Sequence, residues 1–83
     1  MKKKTLTNKK IYEEIFFLSL SIKDKKYENC RYMETEEWDS ISHMTLISNI
    51  EKKFKINLSS KDIFNFKTFY SGLKILKKHK IKL

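Results

Sequence analysis

The stretch Trp38-Asp39-Ser40-Ile41-Ser42-His43-Met44 is the most informative part of this chain, because an extended segment is expected to turn into an amphipathic helix there. Ser40 belongs to the residue types favoured at the N-cap, so we expect it to cap this helix. The apolar residues behind it recur with a helical and not an alternating period. They are Ile41, Met44, Ile47, Ile50 and Phe54, with Leu46 widening the stripe. The pattern predicts a second helix of the chain from Ser40 to about Lys53.

Three further helices follow from the same kind of pattern. We expect the first to begin at a Thr7 or Asn8 cap and to end near Lys23. Its predicted inward stripe consists of Ile11, Ile15, Leu18 and Ile22, with Tyr12, Phe16 and Phe17 beside it. A short third helix is predicted from Lys61 to Phe66 behind Ser59 or Ser60. The last should run from a Thr68 cap to about Lys78, with Phe69, Leu73 and Leu76 inward and Lys74, Lys77 and Lys78 outward.

The segment between the first two helices shows no clean periodicity. Residues from about Asp24 to Asp39 are therefore predicted to form a long loop, with one short turn near Tyr27. Large apolar side chains should attach this loop to the core, namely Tyr32, Met33 and Trp38. No segment alternates like a strand, so the predicted fold is all-α, a small four-helix bundle.

Length and composition are those of one small domain. The chain has 83 residues, one glycine, no proline and a single cysteine, Cys30, which excludes an internal disulfide and a Cys-pair metal site. We expect a single domain over residues 1–83 with a core of about 7–78, and fraying of residues 1–6 and 79–83. Without a signal-like or membrane-spanning apolar run, a soluble cytoplasmic protein with no stable membrane insertion is expected.

The charge of the chain is strongly positive but unevenly placed. The formal net charge is +9, yet five acids lie within residues 28–39, just before Ser40. Such asymmetry brings nucleic acid and membrane surfaces into consideration as partners. Of the 19 basic residues 18 are lysine, whereas arginine is the residue that binds bases and phosphates through two parallel hydrogen bonds. We therefore expect no nucleic-acid partner. Dispersed lysines are more typical of a solvated surface.

Two readings of Ser40 remain open from the local sequence. Ser40 can simply cap a helix, which is a common role for serine. Alternatively, a phosphate attached to its hydroxyl would meet backbone N–H groups and the positive end of the helix dipole.

The sequence predicts neither a catalytic site nor a metal site. His43 lies three residues after Ser40 on nearly the same helix face, but no orienting acid or oxyanion loop accompanies the pair, so we expect no enzyme. We expect His43 to pack beside a group attached to Ser40 or to touch its phosphate. The acids upstream match no defined cation-binding loop, so no metal site is expected; they are Glu34, Glu36, Glu37 and Asp39.

Four separated landmarks carry a family resemblance. Asp39-Ser40-Ile41 is followed by a helix that ends in Glu51-x-x-Phe54-x-Ile56, then by Asp62-Ile63 and by Phe66-Lys67-Thr68. This order and spacing, from Trp38 to about Lys78, resembles the acyl carrier protein family.

The resemblance implies an acyl-carrier type bundle in which Ser40 carries 4′-phosphopantetheine through a phosphodiester, flanked by Asp39, Ile41 and His43. It further implies a monomeric, non-enzymatic carrier of an acyl or aminoacyl thioester. The implied partners are a phosphopantetheinyl transferase, enzymes that load acyl or aminoacyl groups, and acyltransferases. The alternative is a basic helical module that binds nucleic acid or a membrane surface, with Ser40 only a helix cap.

The second helix departs from the family pattern. Glu51 is its only acid and is followed by Lys52 and Lys53, whereas fatty-acid carriers present an acidic helix. The expected role is therefore a specialised pathway, such as polysaccharide, lipid or secondary-metabolite acylation, and not housekeeping fatty-acid synthesis. Bulky residues should line or support the cargo cleft and restrict it to short or polar cargo. They are Ile41, Met44, Leu46, Ile50, Phe54, Ile56, Ile63, Phe66, Phe69 and Leu73.

Overall fold

The computed structural model describes residues 7–22 and 27–83, and within these ranges the chain forms four α-helices and no β-strand. The helices are α1 (Asn8–Leu20), α2 (Ser40–Phe54), α3 (Ser60–Asn65) and α4 (Phe69–Lys78), and a single 3₁₀ turn covers Tyr27–Asn29. The all-α prediction is confirmed, and so is the short turn in the loop between α1 and α2. No helix in the described ranges is long and apolar enough to cross a membrane.

Side-chain caps set the starts of all four helices. Thr7, Asp39, Ser59 and Thr68 each accept a backbone N–H of the first helical turn. The last three also form capping boxes, in which the third helical residue returns a bond to the backbone of the cap. The predicted caps of the first, third and last helices are therefore confirmed. The prediction for the second helix is wrong by one residue, because Asp39 is the cap.

Helix α1 is shorter and rotated relative to the prediction. Ser21 adopts a left-handed conformation with φ 55°, and the N–H of Ile22 returns to Phe17 O at 3.1 Å. This left-handed ending stops the helix at Leu20, and the predicted end at Lys23 and loop start at Asp24 lie outside the described residues. The side chain of Leu18 is 79% exposed, so its predicted inward position is wrong.

Tyr12 and Phe16, predicted beside the isoleucine stripe of α1, are buried most deeply, while Ile15 and Ile22 of that stripe are partly buried against the core. The buried positions of α1 are Tyr12, Phe16, Ser19 and Leu20, which recur at i, i+4, i+7 and i+8. Large rings bury more apolar area than the isoleucine stripe would, which explains the rotation. Phe16 contacts Trp38 and Phe69 edge-on, each with 5.1 Å between ring centroids. The centre of the core is thus an aromatic cluster that joins α1, the loop and the start of α4.

The long loop is attached to the core at Trp38 and to the connection between α3 and α4 at Arg31 and Tyr32. Trp38 is completely buried, as predicted, whereas Met33 is 63% exposed with φ 65°, so its predicted anchoring role is wrong. Tyr32 is half-buried, and its N–H donates to Lys67 O at 2.9 Å beside the bridge between Arg31 and Thr68. These contacts bring the loop alongside the connection between α3 and α4.

Residues 79–83, which we expected to fray, contact the rest of the bundle. The N–H of Ile81 donates to Leu76 O at 3.0 Å, and the Asn8 amide donates to Lys82 O at 2.8 Å. The side chains of Ile81 and Leu83 pack against the core. The tail therefore covers the start of α1 in this structure, while residues 1–6 lie outside the described ranges.

Candidate functional site

Ser40 is the first residue of α2, and its side chain is exposed. Asp39 performs the capping role that we had assigned to Ser40: its Oδ1 accepts the Ser42 N–H at 2.9 Å. The Ser42 hydroxyl accepts the Asp39 N–H at 3.0 Å and donates to Glu37 O at 2.8 Å. Because the cap is complete without Ser40, its hydroxyl is not needed to close the helix.

Asp39 is held in its charged form by the same contacts. The Ser42 N–H, followed by the Ser42 hydroxyl, lowers the pKa of the Asp39 carboxyl below its ordinary value. The carboxylate thus accepts a free backbone N–H at the helix N-terminus and adds a negative charge beside Ser40. This position fits a structural role for Asp39 in holding Ser40 on the first turn, and Ile41, which follows it, is 77% exposed.

His43 lies in the interior, only 4% exposed, one turn after Ser40. Its Nδ1 accepts a hydrogen bond from the Trp38 indole N–H at 3.0 Å, and its Nε2 lies 3.0 Å from Ile63 O. The ring of Tyr32 covers it, with 4.3 Å between ring centroids. Both ring nitrogens therefore already have partners inside the protein, and the expected packing of His43 beside a group on Ser40, or its contact with the phosphate, stays a prediction.

The two partners also fix the proton on His43. An indole N–H only donates, so Nδ1 must accept and carries no proton. A carbonyl only accepts, so Nε2 must carry the proton and donate it to Ile63 O. The imidazole is therefore a neutral bridge between the loop and α3. It has no nitrogen left with which to activate the Ser40 hydroxyl.

A surface groove of about 610 Å³ opens beside Ser40. It lies between the start of α2 and helix α3, and the loop forms part of its wall. Its lining combines apolar side chains with a few hydroxyl and charged groups: Tyr32, Glu34, Ser40, His43, Met44, Ser60, Ile63, Phe64 and Lys67. Met44 and Phe64 are 53% and 69% exposed, which is unusual for residues of their size. We call this feature the Ser40 groove.

The sequence identified only part of the groove. Of the residues expected to line or support a cleft, Met44 and Ile63 line it. Four others are fully or almost fully buried in the core: Leu46, Ile50, Phe66 and Phe69. The sequence did not identify Phe64 and Lys67 as lining residues of the groove. In the structure, Lys67 Nζ lies 4.4 Å from the centroid of the Phe64 ring, which is a cation–π contact. The presence of Phe64 in so short a helix was the only sequence feature that pointed to an exposed aromatic ring at this groove.

Helix α3, one wall of the groove, is fastened from both sides. On one side His43 donates to Ile63 O. On the other, the buried carboxylate of Asp62 is paired with Lys78 Nζ and, at 2.9 Å, with His79 Nε2. The hydrogen bond from Lys78 is the largest cause of a lowered pKa of Asp62, and the pKa lies far below its ordinary value despite burial. A six-residue helix has little stability alone, so these contacts hold the wall in position.

The acids of the loop do not converge on a cation site. Glu34, Glu36 and Glu37 are exposed. Within the described ranges, no group of three or more His, Cys, Asp or Glu residues is placed to hold a metal ion.

Searches against protein-family models, curated proteins and solved structures found no match to this chain.

Proposed function

We propose that this chain is a carrier protein that holds an acyl or aminoacyl thioester on 4′-phosphopantetheine attached to Ser40. The observation that carries the proposal is the position of Ser40, an exposed hydroxyl on the first turn of α2 at the edge of the Ser40 groove. The resemblance of the surrounding sequence to the acyl carrier protein family supports the same assignment. The four-helix arrangement is compatible with an acyl-carrier type bundle.

The local electrostatics support a phosphodiester at this residue. A helix N-terminus favours negative charge through its dipole and its N–H groups, by about 0.3–1 kcal/mol at an exposed position. Asp39 opposes part of this effect, because its carboxylate already accepts the Ser42 N–H. A phosphodiester carries only one charge, and Ser40 is exposed, so water can screen the two anions from each other.

The Ser40 groove offers suitable contacts for a pantetheine arm, which combines a dimethyl carbon with two amides and a terminal thiol. Met44, Ile63 and Phe64 would contact the apolar part of the arm. The Ser60 hydroxyl would be available to an amide. When attached, the prosthetic group supplies a thiol that holds the cargo as a thioester, and the protein itself makes and breaks no bond.

This role requires enzymes as partners. A phosphopantetheinyl transferase, with Mg²⁺ bound in its own site, would transfer the arm from coenzyme A to Ser40 Oγ. The phosphoanhydride bond of coenzyme A would break, adenosine 3′,5′-bisphosphate would leave, and the transferase would take up the serine proton. Loading enzymes and acyltransferases would then act on the thiol of a monomeric carrier.

A specialised pathway, such as polysaccharide, lipid or secondary-metabolite acylation, is favoured over housekeeping fatty-acid synthesis, because α2 lacks an available acidic face. Its one acid, Glu51, accepts the Leu58 N–H at 2.8 Å, while Lys52 and Lys53 are exposed.

Co-expression with a phosphopantetheinyl transferase of broad specificity, followed by intact mass measurement, tests this function. The wild-type chain should gain one phosphopantetheinyl increment, and Ser40→Ala should gain none. Ser48→Ala is the matched control, because it removes another exposed hydroxyl from α2 without touching its cap and should still be modified. Modification of Ser40→Ala, or an unmodified wild-type chain beside a modified reference carrier, would contradict the proposal.

A further inference from the structure

A second surface feature lies on the outer side of α4. Tyr70, Lys74 and Lys77 recur at i, i+4 and i+7 and are all exposed, so they form one continuous stripe along the helix. Lys9 of α1 and Leu83 of the tail border the same region, and with Leu73 they enclose a surface pocket of about 370 Å³. We call these six residues the α4 basic face. None of its lining residues is shared with the Ser40 groove.

The two α4 lysines of this face, Lys74 and Lys77, have no acid on their own helix to balance their charge. Helix α4 contains no Asp or Glu, and residues 40–83 contain only Glu51 and Asp62. Asp62 is buried and paired with Lys78 and His79. In the described ranges neither acid forms an ion pair with Lys74 or Lys77, whereas Lys9 lies one turn before Glu13 of α1.

The centre of the face is apolar. Tyr70 is 52% exposed, and the half-buried Leu73 and Leu83 lie between the lysines. Long lysine side chains can lay their methylene stems on such a surface while their charges reach outward. A tyrosine among exposed lysines and leucines has the composition of a surface that rests at a membrane–water interface.

We propose that the α4 basic face binds the surface of a bilayer that contains anionic phospholipids. Lys9, Lys74 and Lys77 would meet the phosphate groups, and Tyr70 with the leucines would rest at the level of the headgroups. Each lysine near an anionic membrane raises the affinity about fivefold, so three together account for about a hundredfold. The contact is peripheral and reversible.

Lipid is favoured over nucleic acid as the partner by the chemistry of the face. Its basic groups are all lysines, which act as point charges and do not provide the planar two-pronged recognition of arginine. Its apolar centre would gain little from a phosphodiester backbone, whereas it gains from burial in the headgroup region of a bilayer. The inference does not depend on phosphopantetheine, because it rests on a different surface from the Ser40 groove.

Vesicle co-sedimentation of the full chain tests the proposal. The vesicles contain either phosphatidylcholine alone or phosphatidylcholine with about one-third phosphatidylglycerol, at low and physiological salt. The test variant is the triple Lys9→Gln, Lys74→Gln, Lys77→Gln. The control is Lys52→Gln, Lys53→Gln, Lys55→Gln, which removes the same charge from the end of α2. All six lysines are exposed, and circular dichroism verifies that both variants fold.

We expect the wild-type chain to bind anionic vesicles only. The affinity for these vesicles should fall about a hundredfold in the α4 variant and a few-fold at most in the control. Tyr70→Ser should weaken the binding that remains at physiological salt, where electrostatic attraction is screened. Equal losses in both triple variants would show that only net charge matters and would overturn the proposal. So would equal binding to neutral vesicles, or a single-stranded RNA that competes fully with the vesicles at equimolar charge.

Discussion

The indole N–H of Trp38 donates to Nδ1 of His43 at 3.0 Å, and this contact determines the state of the histidine at the base of the Ser40 groove. It leaves Nε2 as the protonated nitrogen, which donates to Ile63 O. The loop, α2 and α3 are thereby joined through one neutral imidazole. His43 is a positioning residue for the groove wall.

Replacing Trp38 by Phe should lower the free energy of unfolding, because the hydrogen bond to His43 is lost. The variant removes the donor and leaves the buried Nδ1 without its partner, which typically costs about 1–3 kcal/mol. Urea unfolding gives the free energy of unfolding, and ¹⁵N–¹H spectra of the wild-type imidazole should show the Nε2–H tautomer. A wild-type imidazole protonated at Nδ1 at neutral pH would contradict the assigned geometry.

Asp39→Ala and Ser40→Ala should separate capping from attachment. Loss of the Asp39 cap should lower the free energy of unfolding by about 0.5–2 kcal/mol while leaving the hydroxyl of Ser40 available for modification. Ser40→Ala should change stability by only a few tenths of a kcal/mol, since Asp39 closes the helix, and should abolish labelling by a fluorescent coenzyme A analogue. The reverse pattern would mean that Ser40 stabilises the helix.

Gly72→Ala should destabilise the protein, although alanine is normally the better helix former. A Cβ at this position would overlap the Tyr12 hydroxyl and the edge of the Phe66 ring. Both rings are completely buried, so neither can move aside freely. Overpacking costs about 1–3 kcal/mol and should outweigh a propensity gain of about 1 kcal/mol. Chemical denaturation measures this, with Lys74→Ala as the control on the exposed side of α4; a stabilised Gly72→Ala variant would contradict the packing.

Asp62 should make stability depend on pH in the acid range. Its pKa is lowered in the folded state, so its contribution is fully present above the unfolded value of about 3.9 and is lost as the pH falls through the folded pKa. Asp62→Asn should cost about 1–2 kcal/mol at neutral pH, a modest value because Lys78 is 60% exposed. Urea unfolding from pH 6 downward should show the two proteins converging below about pH 4. A constant difference across this range would exclude the carboxylate as its source.

The length of an acyl cargo should have little effect on stability. The rings expected to bound a cleft, Phe66 and Phe69, are buried within the core, and the Ser40 groove is a surface feature. Sequestration would add about 0.8 kcal/mol for each buried methylene, whereas a cargo outside the core adds almost nothing. Melting temperatures of carriers loaded with acetyl to long-chain acyl groups test this, with unloaded holo-protein as the control. A steady rise with chain length would contradict it.

The helices could be predicted from the sequence because their caps are local. Thr7, Ser59 and Thr68 were recognisable as caps, and only the choice between the adjacent Asp39 and Ser40 was wrong. That choice depends on which side chain reaches the third helical N–H, and both residue types can do so.

The surroundings of Ser40 could be predicted less well, because they depend on contacts between distant segments. The contact between His43 and Ile63 spans 20 residues, and no pattern in the chain indicates it. Helical spacing also left the orientation of α1 ambiguous, since both its isoleucine stripe and its aromatic stripe fit a helix. Ring area decided in favour of Tyr12 and Phe16.

The burial of Trp38 gives the protein its own optical reporter. It is the only tryptophan in the chain, and its indole is enclosed by Phe16, Tyr32 and His43. Its emission should be shifted to short wavelength in the folded state. Because one hydrogen bond links the indole to His43 and a second links His43 to α3, an occupant that displaces the wall of the Ser40 groove should change this fluorescence. Loading of the groove could then be followed in real time without an added dye.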